Sequence, residues 1–325
     1  MKGRAALVTG AEGFAGSWLA RALLEEGASV VAYDRGDPNT SGLELQGIAD
    51  DVELVRGELT DGELLARTIA GSGVDAVFHL GAQTIVGTAN ASPLPTFESN
   101  IRGTWELLEA CRAAGVRTVV VASSDKAYGA HEQLPYREDA PLQPTYPYDV
   151  SKAAADLIAR SYWHTYELPV AVTRFANLYG GGDLNFSRLI PETALAAIEG
   201  RRPQLRSDGS PERDYLYVED AARAYLAIAA ALDEGRGRGE AFNAGGGEPH
   251  AVREIVELLG EIAGAPLDPD FRGKGTPPGE IDRQYLDSTK LRETTGWEPQ
   301  VDLREGLALT LDWYRAHPEA RPAKS

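Results

Sequence analysis

Two side chains able to move a proton stand four residues apart in the run Tyr148-Asp149-Val150-Ser151-Lys152. On a helix, positions i and i+4 share a face, so the phenol and the ammonium point the same way. A tyrosine near its ordinary pKa of about 10 is a poor base at neutral pH. A neighbouring cation stabilises the phenolate. Bringing the phenol down to near neutrality takes roughly 4 kcal/mol of differential stabilisation. A phenolate so prepared takes the proton of an alcohol while hydride leaves to an acceptor. YxxxK is common by chance, so the reading depends on a hydride acceptor elsewhere in the chain.

The segment Thr9-Gly10-Ala11-Glu12-Gly13-Phe14-Ala15-Gly16 supplies a place for one. It follows an apolar run at 5–9 and opens a helical pattern at 17–26. Gly10 permits a tight turn, Gly13 lets the backbone approach a pyrophosphate at the helix N-terminus, and Gly16 permits close helix–sheet packing. Asp34, 18 residues beyond Gly16, ends the next apolar run. A carboxylate there accepts hydrogen bonds from ribose hydroxyls and repels a 2′-phosphate, so NAD is expected over NADP. Arg35 beside it is the opposing signal. Glu58 and Leu59, after the third run, are placed at the adenine edge.

These residues need a frame to hold them. Short apolar runs at 29–33, 52–55, 76–80, 118–122 and 169–174 read as buried strands. They alternate with helical patterns at 62–70, 97–114 and 147–166. That rhythm predicts an α/β fold, a doubly wound parallel sheet covered on both faces. After Gly180 the rhythm breaks into helices at 189–199, 218–232, 252–263 and 303–314 among short strands and Pro/Gly loops. We expect a Rossmann domain over 1–180 and a smaller mixed α/β substrate-binding region over 181–325. The boundary is soft, because a later segment can cross back.

Composition sets limits. The formal net charge of −17 over 325 residues disfavours nucleic acid as a partner. No run of 18 apolar residues suggests a membrane span. Cys111 is the one cysteine, so no internal disulfide and no Cys-built zinc site are available. His131 and His164 lack ligand spacing, and no metal is expected. His79, Cys111 and the five tryptophans read as packing or interface residues. The opening lacks the features of a signal peptide. A soluble cytoplasmic protein is expected.

TGAEGFAG (9–16), Asp34, HLGAQ (79–83), SSDKAYG (123–129), YPYDVSK (146–152) and RFANLYGGGD (174–183) together resemble the extended short-chain dehydrogenase/reductase family, in its nucleotide-sugar epimerase and 4,6-dehydratase branch. RDYLYVED (213–220), AFNAGG (241–246) and DRQYLD (282–287) extend the resemblance over nearly the whole chain. It implies that Tyr148 is the base, that Lys152 holds the cofactor ribose, and that Ser124 bonds the reacting sugar hydroxyl. It implies Leu80, Ala82 and Gln83 along the cofactor, Ser123 near the nicotinamide, and Asn100 behind the Tyr–Lys helix. Arg213 would hold a diphosphate with Arg283 as a second contact, Asn177 would assist with Asn243, and Asn185, Phe186 and Leu189 would lie by the nucleobase. Family members are usually dimers, which here would join through 97–114 and 147–166.

The reaction turns on Ser123-Ser124-Asp125-Lys126. The branch's 4-epimerases usually carry small residues in the two places after the Ser/Thr, and its dTDP-glucose-type dehydratases carry Asp and Glu. Asp-Lys resembles the CDP-glucose 4,6-dehydratase pattern. Asp125, if burial raises its pKa, can protonate a departing C6 hydroxyl. Lys126 as an amine can take the C5 proton, or as an ammonium can stabilise the enolate. A nucleotide-hexose 4,6-dehydratase is therefore expected first. A nucleotide-sugar 4-epimerase of the UDP-glucose/galactose type is the alternative. An NAD-linked ketoreductase or a non-catalytic NAD-binding module comes third.

Overall fold

The computed structural model describes residues 1–36, 41–277 and 280–322. Seven parallel strands form the central sheet: β1 (Ala5–Thr9), β2 (Ser29–Asp34), β3 (Glu53–Arg56), β4 (Ala76–His79), β5 (Thr118–Ala122), β6 (Val170–Phe175) and β7 (Ala241–Ala244). Their order is β7-β6-β5-β4-β1-β2-β3, a doubly wound arrangement that reverses direction between β1 and β4. Crevices at such a reversal hold ligands at the carboxyl ends of the strands.

Alternation along the strands divides the core. Ala6, Val8 and Val120 face one layer, which includes Leu19 and Leu23 of α1 (Phe14–Glu25). Leu7, Val119 and Val121 face the other. That second layer is built from α2 (Gly62–Gly71), α3 (Gly103–Ala114) and α4 (Pro147–Tyr166). Burial on both faces is why these strands read as continuous apolar runs. β3 departs from that expectation. It is an edge strand with Glu53, Leu54 and Arg56 exposed, because nothing pairs beyond it.

Three boundaries move. α1 begins at Phe14 rather than 17, so its N-terminus lies inside the glycine turn. The helix expected over 97–114 is a short helix (Pro93–Phe97), a π-turn (Glu98–Arg102) and then α3. The division at 180 does not separate two bodies. After α5 (Leu189–Glu199), the chain returns to the sheet through α6 (Val218–Asp233) and β7. Tyr225, Ile228 and Leu232 of α6 pack in the same layer as α1, and β7 pairs with β6.

The remaining segments form a small cap. Tyr179, Ile190, Tyr215 and Tyr217 cluster with Ile255 and Leu259 of α7 (Val252–Ala263) and Leu307 of α8 (Leu303–Ala316). A three-stranded patch places Glu212–Arg213 between His250–Ala251 and Arg283–Gln284. Buried Asp214 clamps this patch by accepting from the amides of Gly246 (2.7 Å) and Leu286 (3.2 Å).

One buried ion pair ties the site's elements together. The Arg174 guanidinium, on β6, donates to both oxygens of Asp156 on α4, at 2.7 and 3.1 Å. It also donates to the Tyr128 hydroxyl (2.9 Å) and the Glu138 carbonyl (3.1 Å). Breaking such a pair leaves a buried charge without a partner, at about 3–5 kcal/mol. We therefore expect Asp156→Ala to unfold at much lower urea concentration than the parent. An unchanged midpoint would refute the role given to this pair.

Candidate active site

The glycine turn after β1 is as tight as backbone allows. Gly10 has φ +69°, and a Cβ there would lie 2.7 Å from the Gly81 Cα. A Cβ on Gly16 would lie 2.0 Å from the Gly10 carbonyl oxygen, so α1 can approach only with glycine at that position. Gly13 is exposed at the N-cap of α1, leaving backbone N–H groups free to face an anion. Asp34 is held against this turn: its carboxylate accepts from the Glu12 amide (3.1 Å) and the Gly36 amide (2.9 Å). The cradle thus has the shape and the donors that a dinucleotide pyrophosphate and ribose require.

Around it the expected residues separate. Phe14 lies in the first turn of α1, and Leu59 reaches the Gly81 backbone. Arg35 and Glu58 are exposed, and the Glu58 carbonyl accepts from the Tyr33 hydroxyl (2.8 Å). Arg56 of β3, which the sequence did not single out, is the arginine beside Asp34, and it pairs with Glu12. Leu80, Ala82 and Gln83 form the half-buried loop after β4. Asn100 is buried behind this loop. Its side chain accepts from the Gln83 amide (2.7 Å) and donates to the Gln83 carbonyl (3.0 Å) and the Ser151 hydroxyl (2.9 Å). Those bonds use its side-chain groups to brace the cofactor loop against α4.

Tyr148 and Lys152 are buried on α4 and point to the end of β5. The Lys152 ammonium donates to the Ala122 carbonyl (2.9 Å), and burial lowers its pKa to about 8. Burial pushes the Tyr148 phenol up to about 12, Arg188 and the Ser124 hydroxyl oppose this, and Asp125 and Asp149 add to it. Ser123 donates to the Lys152 carbonyl (3.0 Å), so its hydroxyl fixes the helix. Ser124 donates to Asp125 Oδ1 (2.9 Å) and accepts from the Lys126 amide (3.2 Å). This caps the short turn Asp125–Tyr128.

Asp125 is 2% exposed, and its Oδ2 has no hydrogen-bond partner. Burial raises its pKa above the usual carboxylate range, opposed chiefly by Lys126. Asp149, to which the sequence analysis gave no role, is buried with its pKa raised to about 6 by burial, and Lys126 opposes this while Asp125 adds to it. Lys126 therefore faces two carboxyl groups, yet it forms no ion pair within 4 Å among the described residues. His79 is a packing residue: its ring shares hydrogen bonds with Thr9 (2.7 Å) and Thr104 (3.1 Å), and burial lowers its pKa to about 3.

On the cap side, Arg213 is buried and donates to the carbonyls of Glu212 (2.9 Å) and Asp282 (3.0 Å) and to Glu280 (3.3 Å). Asn177 donates to the Asp214 carbonyl (3.3 Å) and stays half-exposed. Asn185 accepts from Ser187, Phe186 packs against Tyr314, and Leu189 starts α5. Arg188, between them, was missed. It pairs with Asp183 (2.9 Å) and its charge reaches Tyr148. Two of the expected residues are bonded elsewhere. Asn243 is fully buried, accepts from the Tyr128 hydroxyl (2.7 Å) and donates to the Tyr136 and Asp287 carbonyls, so it holds strands together. Arg283 is exposed and donates to Glu212 (2.5 Å), facing away from Arg213. Among the described residues no group of three potential metal ligands occurs, and no helix is long and apolar enough to cross a membrane.

With this geometry in place, the chain belongs to the NAD dependent epimerase/dehydratase family, whose model matches residues 6–245. Its relatives fall on both sides of that family's name. A UDP-glucose 4-epimerase of Mycolicibacterium smegmatis is 35% identical, over 95% of this chain and 98% of the relative. A dTDP-glucose 4,6-dehydratase of Streptomyces griseus is 36% identical, over 96% and 94%. Among solved structures, a Bacillus anthracis dTDP-glucose 4,6-dehydratase in complex with NAD superposes with TM-score 0.86, at 31% identity and 98% coverage of both chains. A Thermotoga maritima UDP-glucose 4-epimerase with UDP-glucose gives 0.89, at 30% identity, over 97% of this chain and 99% of that one.

Proposed function

We propose that this enzyme is a nucleotide-hexose 4,6-dehydratase. The observation that carries the reading is Asp125, a buried carboxyl with one free oxygen, set between Ser124 and Lys126 beside Tyr148. A 4-epimerase oxidises C4 and reduces its other face, and it needs no such acid. The glycine turn and Asp34 would hold NAD, which would supply the hydride acceptor, a positive ring that favours the Tyr148 phenolate, and the hydride for C6. Tyr148 takes the C4 hydroxyl proton, with Ser124 orienting that hydroxyl. The resulting ketone acidifies C5, Lys126 takes the C5 proton, and Asp125 protonates the C6 hydroxyl as water leaves. Reduction at C6 with reprotonation at C5 then completes a 4-keto-6-deoxy sugar. Arg213 and Asn177 would hold the diphosphate, with Asn185, Phe186 and Leu189 near the base.

Turnover in D₂O tests this. A dehydratase exchanges the C5 proton with solvent and leaves deuterium on carbon in the product. Product free of carbon-bound deuterium would defeat the reading and fit an epimerase.

Pairing of two copies belongs to the same reading. Trp105 on α3 and Leu157 on α4 are large apolar side chains left exposed on adjacent helices. Trp105→Glu should sediment as a monomer where the parent sediments as a dimer; a monomeric parent would refute the pairing. The same reading puts the enzyme in the cytoplasm; a chain with one buried cysteine and no disulfide suits a reducing compartment, and cell fractionation checks it.

A further inference from the structure

Glu12 stands between the charged ends of β2 and β3. Asp34 and Arg56 are register partners at the carboxyl ends of those parallel strands. Side chains alternate along a strand, so opposite residues in a parallel pair share a face. Both side chains turn to Glu12. Asp34 accepts from the Glu12 amide (3.1 Å), and Arg56 donates to both oxygens of the Glu12 carboxylate, one of them at 3.0 Å. The Glu12 main chain is fixed on its other side too. Its carbonyl accepts from the Gly42 amide (2.9 Å), and a Cβ on Gly42 would lie 2.6 Å from that oxygen.

The Arg56 side chain is half-exposed, while that of Glu12 is only 6% exposed. A pair so open to water adds little to stability, so its place matters more than its strength. That place is the ribose end of the cofactor cradle. The guanidinium lies over the Gly36 backbone, where a Cβ would stand 3.0 Å from its Nη1, and the Gly36 amide donates to Asp34 (2.9 Å). An arginine in this neighbourhood is what accommodates a 2′-phosphate on the adenosine ribose. Arg56 has the charge and the position for it. Yet its fork is engaged by one carboxylate, and Asp34 and Glu44 add negative charge around it. Arg35, the other arginine here, is exposed and follows Asp34 directly.

We propose that Glu12 sets the cofactor preference by holding the Arg56 fork away from the ribose, so that the cradle takes a dinucleotide with a free 2′-hydroxyl and refuses one with a 2′-phosphate. Glu12 acts twice. It occupies the cation that would bind the phosphate, through the bidentate geometry that makes such pairs strong. It also leaves negative charge in excess around Asp34. Glutamine at this position keeps the shape of the side chain and the amide bond to Asp34, but it returns Arg56 to an incoming phosphate. The preference stands apart from the dehydratase reading, which needs only a bound nicotinamide.

The test is calorimetric titration of the full chain, cleared of bound nucleotide, with NAD and with NADP. The parent favours NAD. Glu12→Gln gains about tenfold in affinity for NADP, the worth of one new charged hydrogen bond, and shifts by less than about threefold for NAD. Glu12→Ala is the second variant and carries the same expectation. Adding Arg56→Ala to Glu12→Gln removes the gain, and high salt shrinks it, because both charges are open to solvent. Unchanged NADP affinity in the two Glu12 variants overturns the assignment. So does a gain that survives Arg56→Ala, which would place it on Arg35 or on lost repulsion alone. Equal losses for both dinucleotides would make Glu12 a residue that only shapes the glycine turn. A parent that binds NADP as tightly as NAD would leave no preference for Glu12 to set.

Discussion

Tyr148→Phe should leave an enzyme that binds NAD normally and transfers no measurable hydride. The ring is buried and keeps its packing when only the hydroxyl is removed, so the fold should be indifferent to the change. Loss of a general base alone is worth about 10²–10⁴ in rate. Here it removes the only route for the C4 proton in every reaction considered, and dehydration and epimerisation should both vanish. Reduced nicotinamide absorbance after a single addition of nucleotide-hexose reports the step. A variant that still reduces its cofactor would remove Tyr148 from the chemistry.

The second large effect separates the two reactions. Asp125→Asn keeps volume and abolishes the acid, and Lys126→Ala removes the amine. In both, C4 oxidation should survive while elimination falls by about 10²–10⁴. Reduced cofactor and keto-sugar should then accumulate where the parent shows neither. Asn at 125 should not unfold the protein, because Asp125 is already an unfavourably buried carboxyl. Undiminished dehydration by Lys126→Ala would show that the amine has no acid–base role.

Much of this was legible in the sequence because local rules enforce it. β1, the glycine turn and α1 follow from a strand, a turn that admits no Cβ at Gly10 and Gly16, and a helix. Tyr148 and Lys152 follow from helical spacing. The return of residues 218–244 to the sheet was not legible, since the apolar face of α6 does not name the sheet it covers. β3 read as buried because a short apolar run looks alike at the edge and in the middle of a sheet. That Gln284 is buried and Arg283 exposed depends on the phase of a two-residue strand, too short to show a period. Arg188, Asp149 and Arg56 joined the site through tertiary contacts that no spacing announces.

The central claim is the loss of water, and product mass tests it most directly. The pure protein, given NAD in an amount equal to its own, is incubated with a panel of nucleotide-hexoses. The account predicts that one of them is converted to a product lighter by one water molecule. A product of unchanged mass that migrates differently would contradict it and make the enzyme an epimerase.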